Sequence, residues 1–243
     1  MFSQKYFWRS LAFNAALYGT TAVMCCLLVW TLLLPRGGML WVVHLWLYQV
    51  AWIEKHIGGI TYRVIGQSYV PKGSCIIAAK HQSAWETFKL HMLFGDPAIV
   101  LKKELLDVPV WGWYLRRSGM IPIDRGGRGK ALSVMMQAAH RAVDAGRKIV
   151  IFPQGTRVAP GVVKPYKSGI AALYQDLNVP VVPMALNSGL FWPKNGFMKK
   201  PGTIIIEFLP PIPSGLPREA MMTRLKEDLE VASEKLAATS TNS

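Results

Sequence analysis

The hydrophobic pattern of the chain changes character near residue 60. Ahead of that point, Leu11 to Leu34 runs without a charge behind Lys5 and Arg9. The run is longer than the roughly 20 residues needed to cross a bilayer. Pro35-Arg36-Gly37-Gly38 breaks it, and a second apolar stretch, Met39 to Ile53, follows with His44 and Gln49 inside. At about 1.5 Å per residue the second stretch is short for a crossing, and Trp41, Trp46 and Trp52 suit interfacial depth. The pattern predicts a two-helix hairpin inserted from one face of a membrane, its second helix re-entrant or lying at the interface. Lys5, Arg9, Lys55 and Arg63 then share a cytoplasmic side and Arg36 occupies the tip.

Beyond residue 60, short apolar runs recur at 60–65, 74–79, 98–101, 119–123, 148–152, 179–186 and 203–209. Helical spacing lies between several of them. Leu132, Met135, Ala139, Ala142 and Val143 line one helical face, with Gly146 at the stop. Met222, Leu225, Leu229, Ala232 and Leu236 line another. Strands alternating with helices predict an α/β fold, with a largely buried central sheet of about seven strands flanked by helices. The chain divides into a membrane motif at 1–58, an α/β domain at 59–237 and a disordered tail at 238–243.

Charge sharpens this picture. The formal net charge is +14, and nine Trp accompany a 51% hydrophobic composition. A basic body behind an apolar front fits an anionic membrane surface or phosphorylated substrates. Nucleic acid fits less well, because no basic tract or nucleic-acid motif is present. Cys25, Cys26 and Cys75 form no even framework and no metal spacing, as expected of a reducing compartment.

Candidate chemistry collects where strands end. His81 leaves the run at 74–79, and Ser83 to Glu86 has the S-x-x-E pattern of a helix start. Glu86 therefore has two readings: partner of an N-cap Ser83, or the carboxylate that orients His81 as a general base. Lys103 follows the third run, Arg125 the fourth, and Gln154-Gly155-Thr156-Arg157 the fifth. Arg125 and Arg157 are loop cations beside glycines, an arrangement suited to a phosphate. A metal site of His81, Glu86 and His91 is disfavoured, since on one helix these project about 140° apart in succession. A non-catalytic basic membrane scaffold would explain the charge and the hairpin, but not these motifs.

Taken in order, HQSAWE, IPIDR, FPQGTR and VPVVP resemble the four motifs of the glycerolipid acyltransferases, most closely the bacterial lysophosphatidate acyltransferases. The resemblance covers roughly residues 60–210, and the apolar front resembles that family's two-helix motif. Where the family has Asp and FPEGTR, this chain has Glu86 and Gln154. The resemblance implies acyl transfer from acyl-CoA or acyl carrier protein to a lysophospholipid, the sn-2 hydroxyl of lysophosphatidate first among acceptors. Glycerol 3-phosphate and a lyso-amino-acid lipid are the alternatives. It implies His81 as base, Glu86 as its orienter and a phosphate site from Lys103, Arg125, Gln154, Gly155, Thr156 and Arg157. Oxyanion donors are expected near Gly155 or at the helix start after His81. No cofactor and no metal are implied. The location implied is the cytoplasmic face of a bacterial inner membrane. The stretch 108–114 is expected to dip into headgroups, to line an acyl tunnel or to form a plain core helix.

Overall fold

The computed structural model describes residues 4–124 and 128–241. All seven apolar runs are strands: β1 (Ile60–Ile65), β2 (Ile76–Ala79), β3 (Ala98–Lys102), β4 (Ile121–Ile123), β5 (Ile149–Ile151), β6 (Val181–Leu186) and β7 (Gly202–Phe208). They form one sheet in the order β1-β7-β6-β2-β5-β3-β4. Every described pairing is parallel except β6 with β7. β2 is central, pairing Ile76 with Ile149 on one side and with Val181 on the other. Four buried apolar residues suit that place, since a strand covered on both faces needs no polar alternation. Because β2, β5, β3 and β4 run parallel, their C-terminal ends emerge at one edge.

Alternate residues of β2 enter different cores. Ile76 and Ala78 pack with α5 (Arg128–Asp144), α6 (Gly169–Leu177) and α7 (Arg218–Thr241). Ile77 and Ala79 pack with Trp85 and Leu90 of α3 (Trp85–Phe94) and with the N-terminal helices. Those helices are α1 (Gln4–Leu28), which tightens into a 3-10 turn at Val29–Leu33, and α2 (Arg36–Ile53), which ends in a π turn at Glu54–Gly58. Phe13, Leu17, Val50 and Ile53 sit in this second core, each worth about 1.5–3 kcal/mol of burial. Packing thus runs straight across residue 58. The helix Tyr6–Leu33 is long and apolar enough to cross a membrane.

The hairpin lies along the body instead of projecting from it, which corrects the expectation for Arg36. Arg36 forms a forked ion pair with Asp96, at 2.7 and 2.8 Å, and donates to Ser118 O. Arg147 holds the same carboxylate from the other side at 3.0 Å. Nearby, α4 (Trp111–Arg117) fastens the 3-10 turn: Tyr114 Oη donates to Leu28 O and Arg117 to Leu34 O. At the other end Arg9 Nε donates to Ile57 O. In between, Glu54 and Lys89 of α3 form a buried ion pair, with the ammonium 5.2 Å from the Tyr62 ring centre. Desolvation pushes the Glu54 carboxyl up, and Lys89 opposes that.

Smaller corrections concern helix faces and ends. Met135, Ala139 and Ala142 are buried as expected, whereas Leu132 is 40% exposed. In α7 Leu225, Leu229, Ala232 and Leu236 are buried, but Met221 takes the core position expected of Met222. α7 also continues to Thr241, past residue 237, where the sequence placed the end of the domain.

Candidate active site

β2 delivers Lys80 and His81 to the C-terminal edge of the sheet. Lys80 turns inward to both oxygens of Glu230 at 2.8 Å, and Tyr166 Oη binds the same carboxylate at 2.9 Å. His81 turns the other way. Its carbonyl accepts from Val158 N at 2.7 Å, tying the turn after β2 to the turn after β5. Its ring stacks on Phe152 at 4.0 Å between centres.

Glu86 answers both readings at once. Its Oε1 accepts from His81 Nδ1 at 2.8 Å and from the backbone N–H groups of Gln82 and Ser83, each at 2.7 Å. Oε2 accepts from Ser188 Oγ at 2.8 Å. Ser83 Oγ accepts from Trp85 N, but the helix starts after Ala84, which makes no side-chain cap, so only the reciprocal half of a capping box, Ser83 N to Glu86, is formed. The carboxylate is fully buried and receives four hydrogen bonds, the complement of an acceptor-only group. Since Nδ1–H points at a carboxylate, His81 Nε2 is the nitrogen left with a lone pair.

His81 opens on a cavity of about 1070 Å³, large against the ~300–1,000 Å³ of typical ligand sites. Met24, Leu28, Val42, Trp46 and Leu47 of the hairpin form one wall. Phe88, Ile99, Leu115 and Met120 form the other. Of the aromatic stretch 108–114, Trp111 and Tyr114 line the cavity while Val108 and Trp113 are exposed. His91 also faces this apolar space. Desolvation lowers its pKa to about 4, which leaves it neutral near pH 7.

Polar groups gather where His81 meets the loop after β5. Gln154, Gly155, Thr156 and Arg157 all line the cavity. Gln154 is buried, and its Nε2 has no hydrogen-bond partner among the described residues. Gly155 has φ +66°, a backbone conformation open to glycine, and its N–H is spent on Phe152 O at 2.8 Å. With the Gln82 and Ser83 N–H groups held by Glu86, several of the oxyanion donors the sequence offered are already engaged. Arg125 lies outside the described residues. Lys103 is exposed, pairs with Asp124 at 3.4 Å and does not line the cavity. Its neighbour Lys102, the last residue of β3, does, whereas Lys103 opens the 3-10 turn Lys103–Asp107.

Three participants escaped the sequence reading. Lys102 ends β3 beside Lys103, and only the end of the strand, which the sequence does not mark between two lysines, separates them. Lys167 lines the cavity just before α6, and the only sequence signal for it was a cation beside the Ser168-Gly169 helix start. Ser188 reaches Glu86 from across the sheet, a contact with no local signature.

A family model described as acyltransferase matches residues 61–187, the segment that carries the His81–Glu86 pair and the loop of Arg157. The chain belongs to the acyltransferase family. Among its relatives, the 1-acyl-sn-glycerol-3-phosphate acyltransferase of Pseudomonas aeruginosa is 36% identical over 82% of this chain and 76% of its own. That of Saccharomyces cerevisiae is 30% identical over 85% of this chain and 69% of its own. A crystal structure of the 1-acyl-sn-glycerophosphate acyltransferase of Thermotoga maritima shares the fold, with TM-score 0.74 at 20% identity. It matches 95% of this chain and 98% of that one. An acyltransferase in this fold thus carries its paired histidine and carboxylate at the edge of a cavity walled partly by its own N-terminal helices.

Proposed function

We propose that the protein moves a fatty acyl group from an acyl thioester to the sn-2 hydroxyl of lysophosphatidate, giving phosphatidate. The observation that carries this reading is the His81–Glu86 pair at the mouth of a long apolar cavity, with cations at the same mouth. The names of the relatives supply the acceptor class.

An alcohol is a weak nucleophile at neutral pH, so a positioned base is needed as the new bond forms. The acceptor oxygen attacks the thioester carbonyl carbon while His81 Nε2 takes its proton. Glu86 keeps the other nitrogen protonated and stabilises the imidazolium. The tetrahedral intermediate collapses, the C–S bond breaks, and the imidazolium returns the proton to the departing thiolate. No acyl-enzyme is formed. The cavity holds the acyl chain, and Arg157, Lys102 and Lys167 face the acceptor's phosphate, with Thr156 contributing from the loop of Arg157. Both acyl-CoA and acyl carrier protein satisfy this chemistry.

The exposed stripe of the hairpin supports a membrane-surface setting. Tyr18, Val23, Leu27 and Trp30 of the first helical segment and Trp41, Leu45, Tyr48 and Trp52 of α2 are exposed without a charge among them. Because both ends of the hairpin are fastened to the body, these helices lie along the lipid with their aromatic residues at interfacial depth. The catalytic edge then sits on the cytoplasmic face of the bacterial inner membrane, where thioester donors are soluble. The test is acyl transfer to lysophosphatidate by the purified protein, with His81→Ala beside it. Loss of on the order of 10²–10⁴-fold in a folded variant supports the reading. Equal rates would remove His81 from the chemistry, and no product with either donor would point to another acceptor.

A further inference from the structure

The loop at 192–200 has no part in the mechanism above, yet it is joined to both the catalytic arginine loop and the membrane helix. On one side, Arg157 Nη2 donates to Asn195 Oδ1 at 3.4 Å and Lys194 Nζ donates to Arg157 O at 3.3 Å. On the other, Asn14 of α1 donates to Phe197 O at 3.1 Å and Ser10 Oγ accepts from Lys199 N at 2.9 Å. The Phe197 ring lies 5.4 Å from that of Phe7, and both are 44% exposed.

The loop is built, not slack. Lys199 is buried, and its ammonium donates to Gly196 O at 2.7 Å and to Phe197 O at 3.1 Å, which holds the turn from the inside. It lies 5.4 Å from the centre of the Trp192 ring. Asn195 takes φ +56°, a conformation Asn tolerates better than most residues, and this turns its side chain to Arg157. The segment from Ser188 to Ile206 contains no acidic residue. Lys194 is exposed and has no carboxylate partner among the described residues. One of its three donors is engaged by the Arg157 carbonyl, which leaves two at the Arg157 loop, while the guanidinium meets Asn195 next to it in the chain.

We propose that this loop reads the acceptor's phosphate at the membrane surface, Lys194 adding a further phosphate-binding cation on the side of Arg157 away from Lys102 and Lys167 while Phe197 and Phe7 seat the loop in the lipid. The inference rests on the lysophosphatidate reading and adds the element that distinguishes a phosphomonoester arriving from the bilayer. A guanidinium fork takes two oxygens of a phosphate, and an ammonium suits the third.

The experiment compares wild type, Lys194→Ala, Lys194→Arg and Phe197→Ser, each checked for an unchanged melting temperature. Lysophosphatidate is supplied both in vesicles and dispersed in detergent, with inorganic phosphate as inhibitor. Lys194→Ala is expected to raise KM for lysophosphatidate roughly three- to tenfold and to weaken phosphate inhibition in parallel, with kcat and donor KM within twofold. Lys194→Arg should restore most of the loss. Phe197→Ser should lower activity on vesicles but not on detergent-dispersed acceptor. If wild type acylates lysophosphatidate and Lys194→Ala leaves its KM unchanged, this inference falls while the proposed function stands. A rise in donor KM instead would overturn it too. If Phe197→Ser behaves identically in both presentations, the seating of the loop in lipid is wrong. A wild type inactive on lysophosphatidate overturns both readings.

Discussion

Replacing Glu86 with Gln isolates charge from geometry. The corner formed by His81 Nδ1, Gln82 N and Ser83 N presents three donors within 2.8 Å of Oε1, so an amide there must place its single carbonyl oxygen at that position. Its NH₂ group then faces Ser188 Oγ, which can rotate and accept where it now donates. The fold survives, but the negative charge opposite the imidazolium is gone. With charge centres about 4 Å apart and an effective dielectric near 20, that attraction is about 4 kcal/mol, or about three powers of ten in rate. The neutral hydrogen bond retains part of this, so kcat should fall on the order of 10²–10³-fold with little change in either KM. Continuous detection of released thiol measures it. Glu86→Ala differs in kind, because it strands two buried backbone N–H groups at about 1–3 kcal/mol each and should lower thermal stability as well. A folded Glu86→Gln variant within tenfold of wild type would refute the electrostatic role and leave Glu86 as a helix cap alone.

Two further outcomes follow from the buried polar groups. Glu54→Leu or Lys89→Met alone should cost about 3–5 kcal/mol by leaving the other charge unpaired, and the double substitution should recover much of it. A double variant whose loss in thermal unfolding equals the sum of the two single losses would show that the pair is not coupled. His91 gives a pH dependence. Its folded pKa of about 4 lies below the unfolded 6.5, so the unfolded chain takes up the proton first. The stability present above pH 6.5 is therefore lost as pH falls toward 4, by up to roughly 3 kcal/mol. His91→Gln should flatten that part of the stability–pH curve, and a curve that keeps its slope would assign it to other groups.

What could be read from the chain alone follows the range of the interactions. The central strands were legible because a strand buried on both faces must be a short run such as Ile76-Ile77-Ala78-Ala79, bounded by turn residues. The contacts of Glu86 with His81 and Ser83 were legible because both partners are within five residues, and one oxygen meets both. Arg36 was misplaced because its partner Asp96 lies in the α/β body, and the charge pattern of a hairpin says nothing about where its tip docks. Lys103 was chosen over Lys102 because nothing in two adjacent lysines marks where the strand ends and the 3-10 turn begins. Met221 displaced Met222 in the same way, by the phase of a helix that only packing sets. Ser188 and the 192–200 loop reach the site from distant positions in the chain, and no window of sequence contains both ends of such contacts.

The alternation of β2 has a practical meaning for anyone wishing to handle this enzyme without lipid. Ile77 and Ala79 belong to a face whose cover is the hairpin itself, through Phe13, Leu17, Val50 and Ile53. Cutting the chain at Gly59 would not release a water-soluble catalyst from a detachable anchor. It would strip one side of the sheet, remove a wall of the acyl cavity and orphan Lys89. The two helices that carry the exposed apolar stripe are also the ones that complete the core and the cavity, so solubility must be sought by changing their outward stripe, from Tyr18 to Trp52, and leaving their inward one alone.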